Sequence, residues 1–361
     1  MGSVIGVGQI GCGMIGQAHA YSLRLLADDG VIRPVAAADL SAAAAQQAGN
    51  TCPFERVGTD VAAVIADPEI SALVIASPTT THLALVRAAI AAGKHVLCEK
   101  PLATEWGTVR EMCDLVASAA PIAQVGFHSR RHPIVNEIRS LLTDGDLGAP
   151  MGYNLRDDQF WPTGDVVPGH SSWRSDRAHA GGGALIEHSI HSADLLTWLF
   201  GPVTRVYART RSVFGYDVED AAVCTIEHAS GVVGSLTTIF NGVRGREERR
   251  LEVFCERAAI EATTDFLVGA KEDALLVQRP DKPAERYDMA DLRERHFAAA
   301  GLPRRDFAVY LYPAAHAWVE AITDERPASP GFEDARAAHA LVEAAYRAAA
   351  AGLPVALDAL D

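Results

Sequence analysis

The chain has 361 residues, about half of them apolar, which is too many for a single hydrophobic core and predicts two domains. Its 46 acidic residues outnumber the 32 basic ones, and the net charge of −14 argues against nucleic acid or an anionic membrane as a partner. The six cysteines form no CxxC pair, and no apolar run approaches the ~20 residues of a membrane-spanning helix, so we expect a cytoplasmic protein.

The first 126 residues alternate short apolar runs with longer helical stretches. Such alternation predicts βαβ units, in which parallel strands form a doubly wound sheet with helices on both faces. The predicted strands are Val4–Ile10, Pro34–Ala38, Ala72–Ala76, His95–Cys98 and Ile122–Val125. The predicted helices are Gly16–Ala27, Ser41–Ala48, Val61–Ala66, His82–Ala92 and Glu105–Ala117. Residues 1–126 are therefore interpreted as one α/β domain.

The pattern changes after Gly126. A predicted helix, Ile134–Thr143, precedes a Gly-, Pro- and Trp-rich segment, Arg156–Gly183, which we interpret as a long loop, and one apolar helix, Ala184–Phe200. The later elements are predicted strands at Val203–Ser212, Ala221–His228, Val232–Phe240, Arg250–Cys255 and Ala258–Ala262, helices at Phe307–Thr323 and Asp334–Ala350, and an edge strand at Leu353–Leu357. Residues 127–361 thus predict an α+β domain with a large, open, mostly antiparallel sheet and helices on one face. The final helix, about 334–350, is a candidate to pack back on the first domain.

A glycine-rich turn follows the first predicted strand and opens the first helix. It reads Gly11-Cys12-Gly13-Met14-Ile15-Gly16, a GxGxxG pattern. Its glycines serve the tight turn, the close approach of backbone N–H groups to a pyrophosphate, and the packing of helix on strand. Because the pattern lies between a strand and a helix, it favours a Rossmann dinucleotide site over an ordinary glycine turn.

An acidic residue, Asp39, ends the second predicted strand at about the expected distance from that turn. Its carboxylate would accept hydrogen bonds from the adenosine ribose and repel a 2′-phosphate, and no arginine stands beside it. We therefore expect NAD as the cofactor, with NADP disfavoured. The alternative, that Asp39 only caps the next helix, is weakened because Ser41 is available for that role.

Three stretches resemble one family, the Gfo/Idh/MocA oxidoreductases. They are the glycine turn, the segment Ser77-Pro78-Thr79-Thr80-Thr81-His82 with Gly93 to Ala103 (which includes Glu99-Lys100-Pro101), and Gly181 to Asp194. The resemblance covers essentially the whole chain. It implies a Rossmann domain, an open-faced antiparallel sheet, and chemistry on a sugar, cyclitol or related polyol. The cofactor-binding residues that we expect are Gly11, Gly13, Met14, Ile15, Gly16, Asp39, Ser77, Pro78, Thr79, His82, Glu99, Lys100 and Pro101.

The segment Glu99-Lys100-Pro101 lies where the fifth parallel strand ends, and ligands bind outside the carboxyl ends of such strands. An ammonium there can stabilise charge that develops on a substrate oxygen. The resemblance implies a catalytic role for Lys100. By residue type alone, a surface lysine before a proline would be the simpler interpretation.

Glu187 and His191 are four residues apart on a predicted helix, so they are expected to share a face, with Asp194 one turn further on nearly the same side. Oxidation of an alcohol needs a base for the hydroxyl proton, and we assign that role to His191, with Glu187 to orient or polarise the site. The family commonly has Asp at the position of Glu187. His188 is the alternative base, but it points about 100° away on a helix, where a buried histidine usually completes a core.

The loop beginning at Arg156 is polar and aromatic, as sugar pockets are. The expected substrate-binding residues are Arg130, Arg156, Asp158, Trp161, Trp173, Arg174 and His188. The loop could equally cap the domain or contact another subunit, and Arg130 could instead pair with a nearby carboxylate. No metal-binding motif is visible in the sequence.

The main hypothesis is hydride transfer between NAD and a sugar or polyol. Two alternatives remain. The protein could be a family member that keeps NAD bound and cleaves glycosides without net redox change, or an inactive regulatory protein that only binds the cofactor. The presence of both Lys100 and His191 argues against the second alternative. We also expect a homodimer or homotetramer, because the outer face of the open sheet would carry apolar residues that need covering, namely Val223, Ile226, Val233 and Leu236.

Overall fold

The computed structural model describes residues 4–161, 172–241, 243, 247–264, 273–303 and 310–360. The chain divides into two compact units. Residues 1–131 with 305–336 form the first, and residues 132–304 with 337–361 form the second.

The first unit contains a six-stranded parallel sheet in the order β3-β2-β1-β4-β5-β6. Its strands are β1 (Ile5–Ile10), β2 (Ile32–Ala38), β3 (Arg56–Gly58), β4 (Ala72–Ile75), β5 (His95–Cys98) and β6 (Ala123–Val125). Its first helices are α1 (Met14–Asp28), α2 (Ala42–Thr51), α3 (Val61–Ala66), α4 (His82–Ala91) and α5 (Trp106–Ala117). The predicted Rossmann architecture is confirmed, and β3 is the strand that the sequence did not predict.

The second unit contains a nine-stranded mixed sheet in the order β14-β13-β12-β11-β7-β10-β9-β8-β15. Its strands are β7 (Pro150–Phe160), β8 (Val203–Arg211), β9 (Ala221–His228), β10 (Val233–Asn241), β11 (Glu248–Cys255), β12 (Ala258–Thr264), β13 (Ala274–Gln278), β14 (Glu285–Arg286) and β15 (Val355–Ala356). All neighbours pair antiparallel except β7 and β10. The mostly antiparallel sheet and its edge strand β15 match the expectation.

The helices of the rest of the chain are α6 (Pro133–Thr143), α7 (Arg177–Ala180), α8 (Ile190–Phe200), α9 (Met289–Ala299), α10 (Leu311–Thr323) and α11 (Phe332–Ala351). The helix α9 and the strands β13 and β14 were not predicted. The helix expected from Phe307 is present from Leu311, and residues 307–309 lie outside the described part of the chain.

The core of the first unit follows from its sequence pattern. Parallel strands covered on both faces require continuous apolar runs, and the four residues of β4 are all fully buried. The inward face of α1 buries Leu23 and Leu26, and α10 packs against α1 with Trp318 fully buried. Such burial stabilises a leucine or phenylalanine side chain by roughly 1.5–3 kcal/mol. Four of the six cysteines are buried in this unit, and the other two, Cys224 and Cys255, are buried in the second unit; all six are unpaired.

Two expectations about the second unit were wrong. Residues Arg156–Phe160, assigned to a long loop, complete strand β7 in the middle of the sheet. Their charges suggested a loop, but Asp157 is buried against Arg249, which no local pattern reveals. The rest of the expected loop, residues 162–171, lies outside the described part of the chain.

The outer sheet face also differs from the expectation. Val223 and Val233 are about half exposed, as expected, but Ile226 and Leu236 are fully buried on the inner face. Successive side chains of a strand point to opposite faces, and 223 and 226 differ by an odd number of residues. The outer face is therefore less apolar than predicted. No helix in the described ranges is both long and apolar enough to cross a membrane.

Candidate active site

The glycine-rich turn leaves no room for side chains at two of its three glycines. Gly11 has φ +91°, and a Cβ on it would lie 2.5 Å from the backbone of Ala76. A Cβ on Gly16 would lie 2.3 Å from the carbonyl oxygen of Gly11, so α1 approaches the turn closely. A Cβ on Gly13 meets nothing within 4 Å, which leaves open space over the turn. The space around each glycine is compatible with the separate roles that the motif predicts.

The N-terminus of α1 lacks a side-chain cap. Gly13 at its N-cap makes no side-chain hydrogen bond, and the first turn, with Met14 and Ile15, contains no acidic residue. In contrast, α2 and α3 are capped by Ser41 and Asp60. An uncapped helix start presents backbone N–H groups and partial positive charge, which suits a phosphate. The turn therefore fits the pyrophosphate of a dinucleotide.

Asp39 is fixed beside this turn by both of its carboxylate oxygens. Oδ2 accepts a 2.7 Å hydrogen bond from the backbone N–H of Cys12, and Oδ1 accepts one of 2.7 Å from Ser41. Ser41 itself caps α2, as the sequence suggested. The neighbouring Leu40 is 89% exposed. The carboxylate of Asp39 is therefore fixed beside the glycine-rich turn.

The segment after β4 is joined to the segment after β5 through His82. The buried imidazole has Nε2 2.9 Å from the carbonyl oxygen of Ser77 and Nδ1 3.0 Å from that of Pro101. Burial lowers the pKa of His82, while its hydrogen bonds with these carbonyl oxygens act in the opposite direction. His82 thus supports the two segments. The short 3-10 turn that follows Pro78 begins at the buried Thr79.

Glu99 and Lys100 are held together at the end of β5. The Glu99 carboxylate is buried, and its Oε2 accepts a 3.0 Å hydrogen bond from the backbone N–H of Lys100. Its Oε1 lies 2.7 Å from His19 Nε2. Gly126 leaves the space that Glu99 needs, because a Cβ there would lie 2.7 Å from the carboxylate. The backbone of Lys100 is therefore anchored to a buried carboxylate, although Lys100 itself is partly exposed.

The charge state of Glu99 follows from its neighbours. Burial by itself would raise the pKa of this carboxyl group, but the hydrogen bond and charge of His19, with His128 and Lys100 nearby, lower the pKa below its usual value. Glu99 is therefore an anion in the interior of the first unit. The sequence motif identified Glu99, but nothing in it indicated His19.

In the second unit, the predicted helix Ala184–Phe200 is interrupted. Ala184–His188 form a π-helical segment, and α8 begins after Ser189. Two of the preceding glycines allow close packing, since a Cβ would lie 2.1 Å from Tyr346 Oη at Gly182 and 1.7 Å from the carbonyl oxygen of Glu219 at Gly183. The expectation that Glu187 and His191 lie on one uninterrupted α-helix was therefore wrong. The apolar pattern does not reveal the π turn, whose ends are hydrogen-bonded to residues distant in the chain, Glu219 and Thr238.

Glu187 is paired with Arg174. Arg174 Nε donates to Glu187 Oε1 at 2.7 Å, and its guanidinium lies 4.5 Å from the ring centroid of Trp173. The two ion-paired side chains are only 10–16% exposed. Three residues predicted from sequence, Trp173, Arg174 and Glu187, are thus brought together in the structure.

His188 and His191 are both buried on this segment. His188 Nε2 lies 2.9 Å from Asp157 Oδ1, an arrangement in which a core histidine has its partner. Asp157 is a residue that the sequence analysis missed, since a buried aspartate within a strand gives no local signal. His191 is the second residue of α8 and is 3% exposed.

Strand alternation separates the polar residues of β7. Arg156 and Asp158 form an ion pair on the face opposite to Asp157, so the structure does not bring them together with His188. Gln159 shares the face of Asp157 instead, and its Oε1 has no hydrogen-bond partner in the described ranges. Gln159 was not singled out from the sequence.

Two further predicted substrate residues are buried. Trp161 is 1% exposed, stacked on Phe240 with ring centroids 4.6 Å apart and edge-on to Tyr216. In the first unit, Arg130 is 4% exposed and pairs with Asp334 at 3.1 Å, which is the alternative that the sequence left open. Among the residues described, no group of three or more His, Cys, Asp or Glu is arranged to hold a metal ion.

Comparison with known proteins identifies both units. Residues 5–127 match the model of the GFO/IDH/MocA oxidoreductase family with an NAD-binding Rossmann fold, and residues 135–261 match the GFO/IDH/MocA C-terminal domain.

Individual relatives extend this similarity. A levoglucosan dehydrogenase from Pseudarthrobacter phenanthrenivorans is 30% identical over 270 residues, which cover 66% of this chain and 68% of that protein. An inositol 2-dehydrogenase from Rubrobacter xylanophilus is 28% identical over 369 residues, 99% of this chain and 94% of that one. The solved structure of levoglucosan dehydrogenase in complex with NADH has a TM-score of 0.89 at 25% identity, covering 98% of this chain and 99% of the other.

Proposed function

This chain belongs to the Gfo/Idh/MocA family of NAD-binding oxidoreductases, and we propose that its substrate is a sugar, cyclitol or related polyol. It is an NAD-dependent dehydrogenase that acts on CH–OH groups. The observation that supports this substrate class is the match to levoglucosan dehydrogenase, which extends over nearly the full length of both chains. Relatives named inositol 2-dehydrogenase support it independently.

The cofactor supplies the hydride acceptor when it is bound. We propose that the chain holds it with Gly11, Gly13 and Gly16 on the pyrophosphate and Asp39 on the adenosine ribose. The segments Ser77–Thr79 and Glu99–Pro101 are proposed to line the same groove. No arginine stands beside Asp39 in the sequence, so we expect its carboxylate to repel a 2′-phosphate. We therefore propose that NAD is preferred over NADP.

The proposed catalytic groups act on one oxygen. His191 accepts the proton of the substrate hydroxyl as the adjacent carbon loses hydride, and Lys100 hydrogen-bonds that oxygen and stabilises the charge that develops on it. Glu187 orients the hydroxyl, and Arg174 and Trp173 hold Glu187 in place. In the reverse direction the same groups return the proton to a ketone.

The remaining assignments are proposals of the same kind. Residues 1–126 hold the dinucleotide, and residues 127–361 bind the substrate and form a homodimer or homotetramer through the outer face of the nine-stranded sheet. The cysteines are unpaired thiols, which agrees with the reducing cytoplasm as the site of action.

A panel of sugars and polyols with NAD, followed at the absorbance of NADH, tests the proposed function. We expect steady NADH formation with at least one cyclic polyol. The matched control is the His191→Ala variant. It should still bind NAD but form NADH much more slowly than the wild type. Glycoside cleavage without NADH formation would overturn the proposal and favour non-redox chemistry. The proposal would also be overturned if the protein bound NAD but neither oxidised any polyol of the panel nor reduced the corresponding ketones.

A further inference from the structure

The candidate catalytic segment contains an unusual backbone feature, the π-helical turn Ala184–His188. The backbone N–H of Ser189 donates to the carbonyl oxygen of Ala184 at 2.9 Å, five residues back, whereas Glu187 donates to Gly183 at 2.9 Å, four residues back. A π turn holds one residue more than an α turn. Such turns are rare and frequently occur at functional sites, and they need support from their surroundings.

Thr238 provides part of that support. It is fully buried on the inner face of β10, and its Oγ1 donates to the carbonyl oxygen of Ala184 at 3.3 Å. The same hydroxyl lies 2.6 Å from Ser189 Oγ. Thr238 therefore contacts the acceptor of the Ser189–Ala184 hydrogen bond and the side chain of its donor residue, and its hydroxyl gives the Ala184 carbonyl a second donor.

Asp157 supports the next step of the helix. It is the direct neighbour of Thr238 across the β7–β10 pair. Its carboxylate lies 2.9 Å from His188 Nε2, and it accepts hydrogen bonds from Ser189 Oγ at 2.9 Å and from Ser192 Oγ. These three partners are the last residue of the π turn, the junction residue and a residue in the first turn of α8. One carboxylate thus spans the whole transition from π to α geometry.

Charge and burial fix Asp157 in this role. Although burial disfavours its charged form, Arg249 at 3.0 Å and His188 hold the pKa of the Asp157 carboxyl well below its usual range. At the other end of the turn, Glu219 accepts hydrogen bonds from the backbone N–H groups of Gly183 at 2.8 Å and Leu185 at 3.0 Å. The π turn is therefore bounded by two buried carboxylates.

We propose that Thr238 and Asp157 are positioning residues that maintain the π-helical turn and thereby set the direction of Glu187 relative to His191. This inference rests on the proposed function, because it takes Glu187 and His191 as the groups that handle the substrate hydroxyl. A shift of the turn to α geometry would rotate Glu187 by about 100° relative to α8. Neither residue contacts the substrate in this proposal.

Thr238 offers the cleaner test, because Asp157→Asn would leave Arg249 buried without its anion and the variant could fail to fold. Thr238→Val keeps the shape of the side chain and removes the hydroxyl, whereas Thr238→Ser keeps the hydroxyl. Thr237→Val makes the same chemical change one residue earlier, on the opposite face of β10, and serves as the control.

For Thr238→Val we expect kcat to fall by about 10- to 100-fold while NAD affinity stays within about 2-fold of wild type. Thr238→Ser should restore kcat to within a few-fold, and Thr237→Val should leave it unchanged. A readout independent of activity is hydrogen exchange of a peptide covering residues 184–192. Exchange should be faster in Thr238→Val and like wild type in Thr238→Ser.

Unchanged exchange in Thr238→Val would overturn the support of the π turn, whatever the substrate is. Faster exchange with wild-type kcat would overturn the positioning role, as would an equal loss of NAD affinity, which would point to general destabilisation. If the wild type oxidises nothing in the substrate panel while the exchange pattern appears as expected, the substrate assignment fails and the support of the turn stands.

Discussion

His19 Nε2 lies 2.7 Å from Glu99 Oε1, and both side chains are almost completely buried. This pair joins α1, the helix that begins at the glycine turn, to the residue that precedes Lys100. A change in either partner is therefore expected to affect stability and, through the backbone of Lys100, turnover.

Glu99→Gln is expected to destabilise the protein by about 2 kcal/mol at pH 7, since hydrogen bonds to charged groups contribute about that much. The pKa of Glu99 is lowered in the folded state, so the ionised carboxylate stabilises the fold above its usual pKa of 4.5, and that stability is lost as the pH falls through the folded value. Urea unfolding at pH 7 and pH 4 checks this. The free energy of unfolding of the variant should change less between pH 7 and pH 4 than that of the wild type. An equal change in both proteins would contradict the prediction.

Asp39→Ala is expected to weaken NAD binding and to narrow the preference for NAD over NADP. The carboxylate is proposed to repel a 2′-phosphate, and it also accepts hydrogen bonds from Cys12 and Ser41 that fix the turn. Calorimetric titration of both proteins with both cofactors measures the two effects. NADP binding to the wild type as tightly as NAD would contradict the assignment.

His191→Ala is expected to lower turnover by roughly 10²–10⁴ while folding and NAD affinity are retained, because this is the usual contribution of a positioned base. Lys100→Ala should also lower turnover with NAD binding largely intact. The two losses should not add fully in the double variant, since both residues are proposed to serve one transition state. Steady-state kinetics and NAD titration of the three variants make the measurement.

His188→Ala is the control for the previous prediction. His188 bonds to buried Asp157, so its loss should cost about 1–3 kcal/mol of stability and change the rate less than His191→Ala does. If His188→Ala abolished turnover while His191→Ala kept it, the assignment of the base would be wrong.

The protein is expected to be a dimer or tetramer at micromolar concentration, with the outer sheet face as the contact. Val223→Glu places a charge on that face and should shift the assembly toward smaller species. Val213→Glu, at a 65% exposed position outside the sheet, is the control. Light scattering after size exclusion measures both, and a monomeric wild type would contradict the prediction.

The sequence was most informative where local pattern and tertiary environment agree. The buried strand His95–Cys98 and the helix Val61–Ala66 were predicted to the residue, because an apolar run or a helical period marks each of them. The exposed strand Arg56–Gly58 has no such run and was missed. Its only sheet neighbour among the described strands is β2, so its pairing depends on a strand that lies elsewhere in the chain.

The candidate site shows the same limit. The motif located Glu99 and Lys100, but His19 is 80 positions away from Glu99 along the chain and no pattern connects them. The strand containing Asp157 looked like a loop because its charges are neutralised only by Arg249, 92 positions later. The π turn depends on Thr238 and Glu219, so its register could not follow from the apolar helix pattern that contains Glu187.

The enclosed cysteines make the protein convenient to label. Burial raises the pKa of Cys12, Cys52 and Cys113 to about 12, and all six cysteines are buried, so a maleimide dye should leave the native protein unmodified. One cysteine introduced at an exposed position would then carry the only fluorophore, without prior removal of the natural ones. Conversely, the rate at which a thiol reagent modifies the natural cysteines measures how often the core opens. This measurement remains possible for immobilised protein and in mixtures where spectroscopy is impractical.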